Sequence, residues 1–247
     1  MPTTLPFFKM QASGNDFVVL NAKELNLDLN SIIELTPKLC DRRYGVGADG
    51  VLALSKSRYT EASYEMIYRN SDGSDAGMCG NGSRSLALFA HEMAGVSPVH
   101  KFHVKSHIYR ARLIDENSVE VSFPFNPKVK NRNTPISSIS EQMYQVFPGT
   151  EHIVMLPVSA ADMQNKNRLL EEGARLRNHN EFQPKGTNIN FVMPLEERQI
   201  SLRTYERGVE GLTLACGTGA IASALTWHHH QSSNRTENHY KVDTDGG

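Results

Sequence analysis

Two segments of the sequence place a cysteine inside a glycine turn that leads directly into a helix-like run. The first is "MCGNGSRSLALFA", which contains Cys79, and the second is "ACGTGAIASALTW", which contains Cys216. A glycine turn ahead of a helix usually holds an anion, so a thiol in that place needs an explanation. It could be a nucleophile, a metal ligand or a redox centre, or it could only fill space in the core.

The two segments follow one plan. Each consists of an alternating strand, a glycine-containing loop, Cys-Gly-x-Gly and an Ala/Leu-rich helix, and the two cysteines are 137 residues apart. Asn70 lies nine residues before Cys79, and Arg207 lies nine residues before Cys216. Such self-similarity is the signature of a repeated structural unit. Because the cysteine keeps its place in both copies, packing alone becomes the weaker explanation.

The residues that follow each cysteine are suited to binding a carboxylate. The first N–H groups of a helix have no partner inside the helix, and the helix dipole is positive there. Glycine also lets a ligand approach the backbone closely. The same field lowers the pKa of a cysteine and favours the thiolate. The donors predicted on this basis are Gly80, Asn81, Gly217 and Thr218.

Two thiols that flank one bound carboxylate predict a particular reaction. If the two copies lie in domains that face each other, Cys79 and Cys216 stand on opposite sides of the α-carbon of an amino acid. One thiolate would remove the α-proton and the other thiol would return a proton to the opposite face, which is racemisation or epimerisation. Backbone donors would stabilise the carbanion, and domain closure would exclude water. The sequence contains no pyridoxal lysine motif or other cofactor signature, so we expect no cofactor.

Other motifs in the sequence carry less weight. "GVGADG" (45–50) fits G-x-G-x-x-G, but it follows a predicted helix and precedes a predicted strand, which is the reverse of a dinucleotide site. The run His228–His230 lies at the end of a predicted helix, where consecutive side chains point in different directions. We therefore expect a solvated helix end and no metal site. A Cys–His dyad with His152 leaves the second Cys-Gly-x-Gly unexplained.

Composition narrows the class of protein. Of the 247 residues, 39% are hydrophobic and 21% are charged, which is ordinary for a soluble globular protein. The net charge of -1 gives no reason to expect nucleic acid or an acidic membrane as a partner. No apolar run approaches the roughly 20 residues of a membrane helix. The opening "MPTTLPFFKM" lacks secretory-signal features, and three cysteines fit a reducing compartment, so we expect a cytoplasmic protein.

Hydrophobic spacing predicts the elements that position the cysteines. Helices are predicted over 30–42 and 162–177 and after each Cys-Gly-x-Gly. The helix after the first Cys-Gly-x-Gly has an apolar face of Leu86, Phe89, Ala90 and Met93. Pro, Asn and Lys become frequent from Pro124, which predicts two domains, 1–125 and 126–247. Strands are predicted within 7–22, 50–54, 63–70, 100–104, 109–114, 118–123, 152–158, 187–192, 199–206 and 240–244.

Five motifs spread over nearly the whole chain resemble those of one enzyme family. They are "SGNDFVVLNA", "DRRYGVGADG", "NSDGSDAGMCGNGSR", "GTNINF" and "YERGVEGLTLACGTGA". Together they resemble the diaminopimelate epimerase family, within the wider group of cofactor-independent amino-acid racemases. The resemblance implies an α/β (α+β) fold of two pseudo-symmetric domains, each a curled mixed β-sheet around a central helix, with the active site in the interdomain cleft. It further implies interconversion of LL- and meso-2,6-diaminopimelate in lysine biosynthesis, and it leaves a homodimer open.

The resemblance also assigns site residues. Cys79 and Cys216 stand where the family has its catalytic pair, and the four backbone donors named above match the residues that hold the reacting carboxylate. His152 and Glu206 match residues that tune the pKa of the thiols, and Thr150 is a further substrate contact. The other substrate ligands are matched by Asn15, Asn70, Asn188, Glu206 and Arg207.

Several positions depart from the family pattern. Thr150 replaces an asparagine and Glu151 replaces a proline, and an added carboxylate there could change selectivity for a substrate that ends in a carboxylate. Gly50 stands where some members have glutamine, and Leu212 where many have glutamate. The chain stops at "DTDGG", so the second domain is expected to lack the family's final strands. Two alternatives stay open: a racemase of another amino acid on the same fold, and a non-catalytic amino-acid-binding relative.

Overall fold

The chain forms two compact units that divide between Pro124 and Phe125. A computed structural model describes residues 4–132, 136–140, 142–231 and 239–247. Within these ranges, no helix combines the length and the apolar character that crossing a membrane would require.

The first unit contains seven strands and two helices in its described part. The strands are β1 (Phe8–Ala12), β2 (Asn15–Leu20), β3 (Gly50–Ser55), β4 (Glu65–Asn70), β5 (Val99–Val104), β6 (His107–Leu113) and β7 (Val119–Ser122). The helices are α1 (Leu29–Cys40) and α2 (Gly80–Ala94).

The seven strands form one mixed sheet in chain order, β1 to β7. Strand β3 runs parallel to β2 and antiparallel to β4. Its sequence is "GVLALS", and all but the last residue are buried. A strand covered on both faces needs such a continuous apolar run rather than an alternating one. The crossover from β2 to β3 is helix α1, which starts where the Asp28 carboxylate accepts a hydrogen bond from Ser31 N–H at 2.8 Å.

Helix α2 is enclosed by this sheet. It packs against both edge strands, β1 and β7, as well as against β2, β3, β4 and β6. Leu86, Phe89 and Ala90 are buried as the spacing predicts, but Met93 is 52% exposed, because it lies in the last turn before the left-handed Gly95 ends the helix. The sheet therefore curls around α2, and Cys79 immediately precedes the first residue of that helix.

The second unit repeats this architecture with different decoration. Its helices are α3 (Ala160–Gln164), α4 (Lys166–Arg177) and α5 (Gly217–His230), with a short 3₁₀ turn at Asn180–Phe182. Its strands are β8 (Lys130–Arg132), β9 (Met143–Val146), β10 (His152–Met155), β11 (Asn188–Glu196), β12 (Gln199–Glu206), β13 (Gly211–Thr213) and β14 (Lys241–Asp243).

The strand order is β13-β12-β11-β10-β9-β8. Strand β14 pairs in parallel with the first residues of β12, whereas β13 pairs with the last residues of β12. Strands β10 and β11 are parallel, as are their counterparts β2 and β3 in the first unit. Strands β11 and β12 are antiparallel, as are β3 and β4. Helix α5 packs on β9, β10, β11 and β12. The second sheet thus curls around α5 as the first curls around α2.

Two sequence predictions for the second unit need correction. The single helix predicted over 162–177 is two helices, because Asn165 ends α3 and its side chain caps α4 by accepting from Arg168 N–H at 3.1 Å. The short strands β8, β9 and β13 were not predicted. With three or four residues each, they depend on pairing with a neighbouring strand rather than on their own sequence pattern.

Candidate active site

Cys79 is the N-cap of helix α2. Its backbone is extended, with φ -123° and ψ 121°, and its carbonyl accepts the first helical hydrogen bond from Ser83 N–H at 2.8 Å. Its Sγ accepts from Gly82 N–H at 3.4 Å. The sulfur is therefore fixed at the positive end of the helix, where an anionic sulfur is stabilised.

Cys216 holds the same position on helix α5. Its φ of -126° and ψ of 110° nearly equal those of Cys79, and its carbonyl accepts from Ala220 N–H at 2.9 Å. The sulfur differs in its partner, because it has no capping bond to the helix backbone and lies 3.6 Å from Thr218 Oγ1. It is also more buried, with 7% of the residue exposed. The sequence repeat therefore gives both cysteines one backbone geometry and two different environments.

His152, at the start of β10, is part of the Cys216 environment. The ring is fully buried, with Nε2 2.9 Å from Thr218 Oγ1 and Nδ1 3.0 Å from Asn190 Nδ2. Burial lowers the pKa of His152 to about 3, so the ring is neutral at ordinary pH. A histidine predicted to tune a thiol is thus two hydrogen-bond steps from Cys216.

Arg207 follows β12, and oxygen atoms of three residues lie around its guanidinium. Its Nη2 donates to Thr150 Oγ1 at 3.0 Å, and its Nη1 donates to the Lys185 carbonyl at 3.2 Å. The Glu151 carboxylate lies 3.5 Å from Arg207 Nη1 and 3.6 Å from Lys185 Nζ. The guanidinium predicted to bind a substrate carboxylate therefore already has a protein carboxylate beside it.

Asn188 and Glu206 lie next to this arginine. Asn188 is 4% exposed, and its side chain donates to the Glu151 carbonyl at 2.9 Å and accepts from Arg207 N–H at 2.9 Å. It thereby ties the loop before β10 to the residue that carries the guanidinium. Burial raises the pKa of the Glu206 carboxyl, so this side chain is biased towards its protonated form.

Asn15, at the start of β2, belongs to a charged cluster in the first unit. Its amide donates to the Asp49 carboxylate at 2.6 Å. Arg42 bridges Asp49 and Asp16 at 2.8 Å each, and Lys9 also pairs with Asp16 at 2.8 Å. The hydrogen bonds from Arg42 and Lys9 lower the pKa of the Asp16 carboxyl. The Asp16 carboxyl is thereby kept ionised, and the Asp49 carboxylate fixes the orientation of the Asn15 amide.

The remaining predicted ligands of the first unit have local partners. Asn81 is 3% exposed, and its Oδ1 accepts from Arg84 Nη2 at 2.6 Å; Arg84 also donates to Ser13 Oγ at 3.1 Å. The Asn70 amide donates to Ser74 Oγ at 3.0 Å, within its own turn. Asn81 is thus held beside Cys79, whereas Asn70 is oriented by the loop that precedes the cysteine.

The structure also shows the surroundings of three further features considered in the sequence: Gly50, Leu212 and the histidine run at the end of α5. Gly50 has no room for a side chain, because a Cβ would lie 2.4 Å from the Arg69 carbonyl oxygen. Leu212 packs against the apolar cluster of the second unit. At the end of α5, the Nδ1 atoms of His228 and His230 lie 2.8 and 3.0 Å from the hydroxyls of Tyr240 and Tyr144, so two of the three histidines have protein partners, and His229 is exposed.

Three residues that position predicted ligands were not found by sequence reasoning: Asp49, Arg84 and Asn190. Two of them left a signal in the sequence: "TNINF" places Asn188 and Asn190 on one face of a strand, and Arg84 lies three residues after Asn81, which is neighbour spacing on a helix. Asp49 contacts Asn15 from 34 residues away, which spacing alone does not reveal.

Solved structures show which class of fold this is. The chain is similar to a hydroxyproline epimerase from Agrobacterium vitis, with a TM-score of 0.67, 15% identity and coverage of 94% of this chain and 78% of that chain. It is also similar to a probable proline racemase from Agrobacterium radiobacter K84, with a TM-score of 0.66, 17% identity and coverage of 95% and 80%. These likenesses confirm the predicted mixed α/β fold with two curled sheets.

Sequence comparison identifies the family. The family model described as diaminopimelate epimerase matches residues 7–124 and 145–247. The diaminopimelate epimerase of Aquifex aeolicus is 39% identical over 229 residues, which is 90% of this chain and 80% of that protein. That of Flavobacterium psychrophilum is 33% identical over 243 residues, or 98% and 88%. The chain belongs to the diaminopimelate epimerase family.

Proposed function

We propose that this protein is an isomerase that interconverts LL- and meso-2,6-diaminopimelate, with Cys79 and Cys216 as the two bases and without a cofactor. Family membership supports the substrate. The observation that carries the mechanism is the matched geometry of the two cysteines, each an extended N-cap at the start of the helix its sheet encloses. Two sulfurs presented in the same way are suited to the same task, proton transfer, performed from two sides.

The proposed reaction begins with the substrate carboxylate at the helix starts. The N–H groups of Gly80, Asn81, Gly217 and Thr218 lie in the first turns of α2 and α5, where the helix supplies no acceptor for them. As the α-proton leaves to one thiolate, negative charge moves onto the carboxylate, and these donors stabilise it. The other thiol then returns a proton to the opposite face. The chemistry requires the two sulfurs to reach opposite faces of one carbon.

The distal end of the substrate is assigned to the residues around Arg207. A guanidinium can hold a carboxylate through two parallel hydrogen bonds. Thr150 and Asn188 contact this arginine directly, and Glu206 precedes it in the chain. In the first unit, Asn15 and Asn70 are the proposed ligands. Lysine biosynthesis, a cytoplasmic location and a homodimer stay predictions.

Deuterium exchange tests the proposal. The protein is incubated with LL-diaminopimelate in D2O, and α-deuteration and formation of the meso isomer are followed. Cys79→Ala and Cys216→Ala should each abolish epimerisation. Cys40→Ala is the matched control, because Cys40 is buried and burial raises its pKa to about 11. Binding without exchange would instead favour a non-catalytic amino-acid-binding protein, and activity in either catalytic variant would contradict the two-base mechanism.

A second candidate function is racemisation of another amino acid, and Glu151 favours it. A carboxylate within 3.6 Å of both Arg207 and Lys185 competes with a substrate carboxylate and could pair with a cationic side chain. A panel of amino acids with acidic, neutral and basic ends in the same exchange assay separates the two functions. Preferred exchange of a substrate that lacks the distal carboxylate would support the second.

A further inference from the structure

A series of buried hydrogen bonds leads from Asn190 through His152 and Thr218 to Cys216. Asn190 lies on β11 and is fully buried. The Asn190 side-chain nitrogen is 2.9 Å from the Ile153 carbonyl and 3.0 Å from His152 Nδ1, and its oxygen accepts from Thr204 Oγ1 at 3.0 Å. Because a carbonyl can only accept, the atom beside Ile153 must be the NH2 group. The same NH2 group donates its second hydrogen to His152, so Nδ1 of that ring is an acceptor.

The tautomer of His152 follows from this bond. Burial keeps the ring neutral by lowering its pKa to about 3, and a neutral imidazole carries one N–H. With Nδ1 as acceptor, the N–H is on Nε2, which donates to Thr218 Oγ1 at 2.9 Å. The hydroxyl hydrogen of Thr218 is then directed to Cys216 Sγ, 3.6 Å away. Asn190, His152 and Thr218 thus each donate one hydrogen bond to the next group on the way to the sulfur.

The first unit shows that the fold does not require these polar residues. In the parallel strand pair of the second unit, His152 pairs with Asn188 and Val154 with Asn190. The corresponding pairs in the first unit are Phe17 with Gly50 and Val19 with Leu52. His152 and Asn190 therefore stand where the repeat has Phe17 and Leu52. Burying polar groups where apolar ones serve equally well costs stability, so another role is indicated.

The glycines of the two helices confirm this correspondence. A Cβ on Gly219 would lie 2.6 Å from Asn190 Oδ1, and a Cβ on Gly82 would lie 2.9 Å from Leu52 Cδ2. Each helix start thus lies directly on the same strand position. In one unit that position is apolar, and in the other it begins the hydrogen-bond chain to the cysteine.

We propose that Asn190 is a positioning residue that fixes His152 as its Nε2–H tautomer, so that the Thr218 hydroxyl donates to Cys216 and stabilises its thiolate. The inference rests on the proposed role of Cys216 as a base. It adds a function for the Thr218 hydroxyl beyond the backbone N–H assigned to that residue. It also explains how the thiol of a residue that is only 7% exposed could carry a negative charge, which burial alone would oppose.

The test measures the reactivity of each cysteine and the state of the ring, and neither measurement needs turnover. Iodoacetamide alkylation is quantified separately for the Cys79 and Cys216 peptides by mass spectrometry. Asn190→Leu, which copies the first unit, and Thr218→Val should each slow alkylation of Cys216 about tenfold, as expected for loss of a hydrogen bond to a charged group. Thr218→Ser keeps the hydroxyl, so Cys216 should be alkylated at the native rate. Thr226→Val, a buried control in α5, should leave both cysteines unchanged.

Nitrogen-15 NMR of labelled histidine reports the tautomer, with His152→Gln used to assign the resonance. The native ring should show the Nε2–H pattern at pH 7, and Asn190→Leu should lose it. A native Nδ1–H or doubly protonated ring would overturn the proposal, as would native Cys216 reactivity in Thr218→Val or equal slowing of both cysteines. If Asn190→Leu does not fold, the Thr218→Val and Thr218→Ser pair decides. Failure of the exchange assay with these outcomes intact would count against the enzyme activity alone.

Discussion

Replacement of Glu151 by glutamine tests whether this carboxylate competes with the substrate for Arg207. The substitution removes the charge and keeps the size of the side chain. The Asn188 bond to the Glu151 carbonyl involves only the backbone and should persist. In the native protein, a substrate carboxylate that reaches Arg207 must displace or tolerate Glu151. We therefore expect Glu151→Gln to bind diaminopimelate more tightly than the native protein.

The size of the effect follows from distance and exposure. Two unit charges 3.5 Å apart, the distance from Glu151 Oε2 to Arg207 Nη1, interact by about 1 kcal/mol in water and by about 5 kcal/mol at an effective dielectric constant near 20. The two side chains are 25% and 31% exposed, so solvent reaches the pair and reduces the interaction below the higher value. Partly exposed ion pairs are worth at most about 1 kcal/mol in practice, so the expected gain in affinity is about fivefold.

Calorimetric titration with diaminopimelate at two salt concentrations provides the measurement. The gain should shrink at high salt, because exposed charges are screened over about 10 Å at 0.1 M. Glu171→Gln, on the exposed surface of α4, removes the same charge away from this cluster and should leave the affinity unchanged. Weaker binding in Glu151→Gln would refute the reasoning, since Glu151 would then be a ligand for a cationic group of the substrate.

Three further predictions concern stability and binding. His152 has a pKa lowered from 6.5 to about 3, so the unfolded state binds more protons between these values and the free energy of unfolding falls as pH falls. Native protein should lose about 1.4 kcal/mol per pH unit more than His152→Gln between pH 6 and 4 in urea unfolding, and parallel profiles would contradict this. Gly219→Ala should lower the free energy of unfolding by about 1–3 kcal/mol, because its Cβ meets two polar side chains. Gly82→Ala should cost less, because its Cβ meets the flexible end of Leu52. Equal urea-unfolding midpoints for the two variants would be evidence against this packing. Asp49→Ala should release the Asn15 amide and raise KM more than it lowers kcat, while Asp115→Ala, in the exposed turn after β6, should change neither.

The parts of the fold that depend on local chemistry could be predicted from the sequence. Helices α2 and α5 begin inside Cys-Gly-x-Gly, directly after the cysteine, and the alternating runs that form β4 and β12 mark strands before them. The break at Asn165 was missed because apolar spacing continues across it and a single cap decides where one helix ends and the next begins. Strand β13 was missed because three residues acquire strand geometry only by pairing with β12.

The candidate site divides in the same way. The two cysteines and their backbone donors could be inferred because a repeat and a helix start are properties of a few neighbouring residues. Asn15 meets Asp49 34 residues away, and His152 meets Asn190 38 residues away. Which strands pair, and in which register, determines these contacts, and a single sequence does not state the register. The residues that hold the ligands were therefore harder to find than the ligands themselves.

The different environments of Cys79 and Cys216 bear on how two similar units could catalyse a reversible reaction. If Cys79 and Cys216 exchange the roles of acid and base in the two directions, their proton affinities must be similar, since a large difference would trap the proton on one sulfur. Cys79 is only half-buried and accepts a backbone N–H from its own helix, so its thiolate is stabilised locally. Cys216 is more buried, which opposes the thiolate, and the chain from Asn190 through His152 and Thr218 offsets that cost. On this reasoning the polar residues are confined to the second unit because only there does burial of the sulfur have to be compensated.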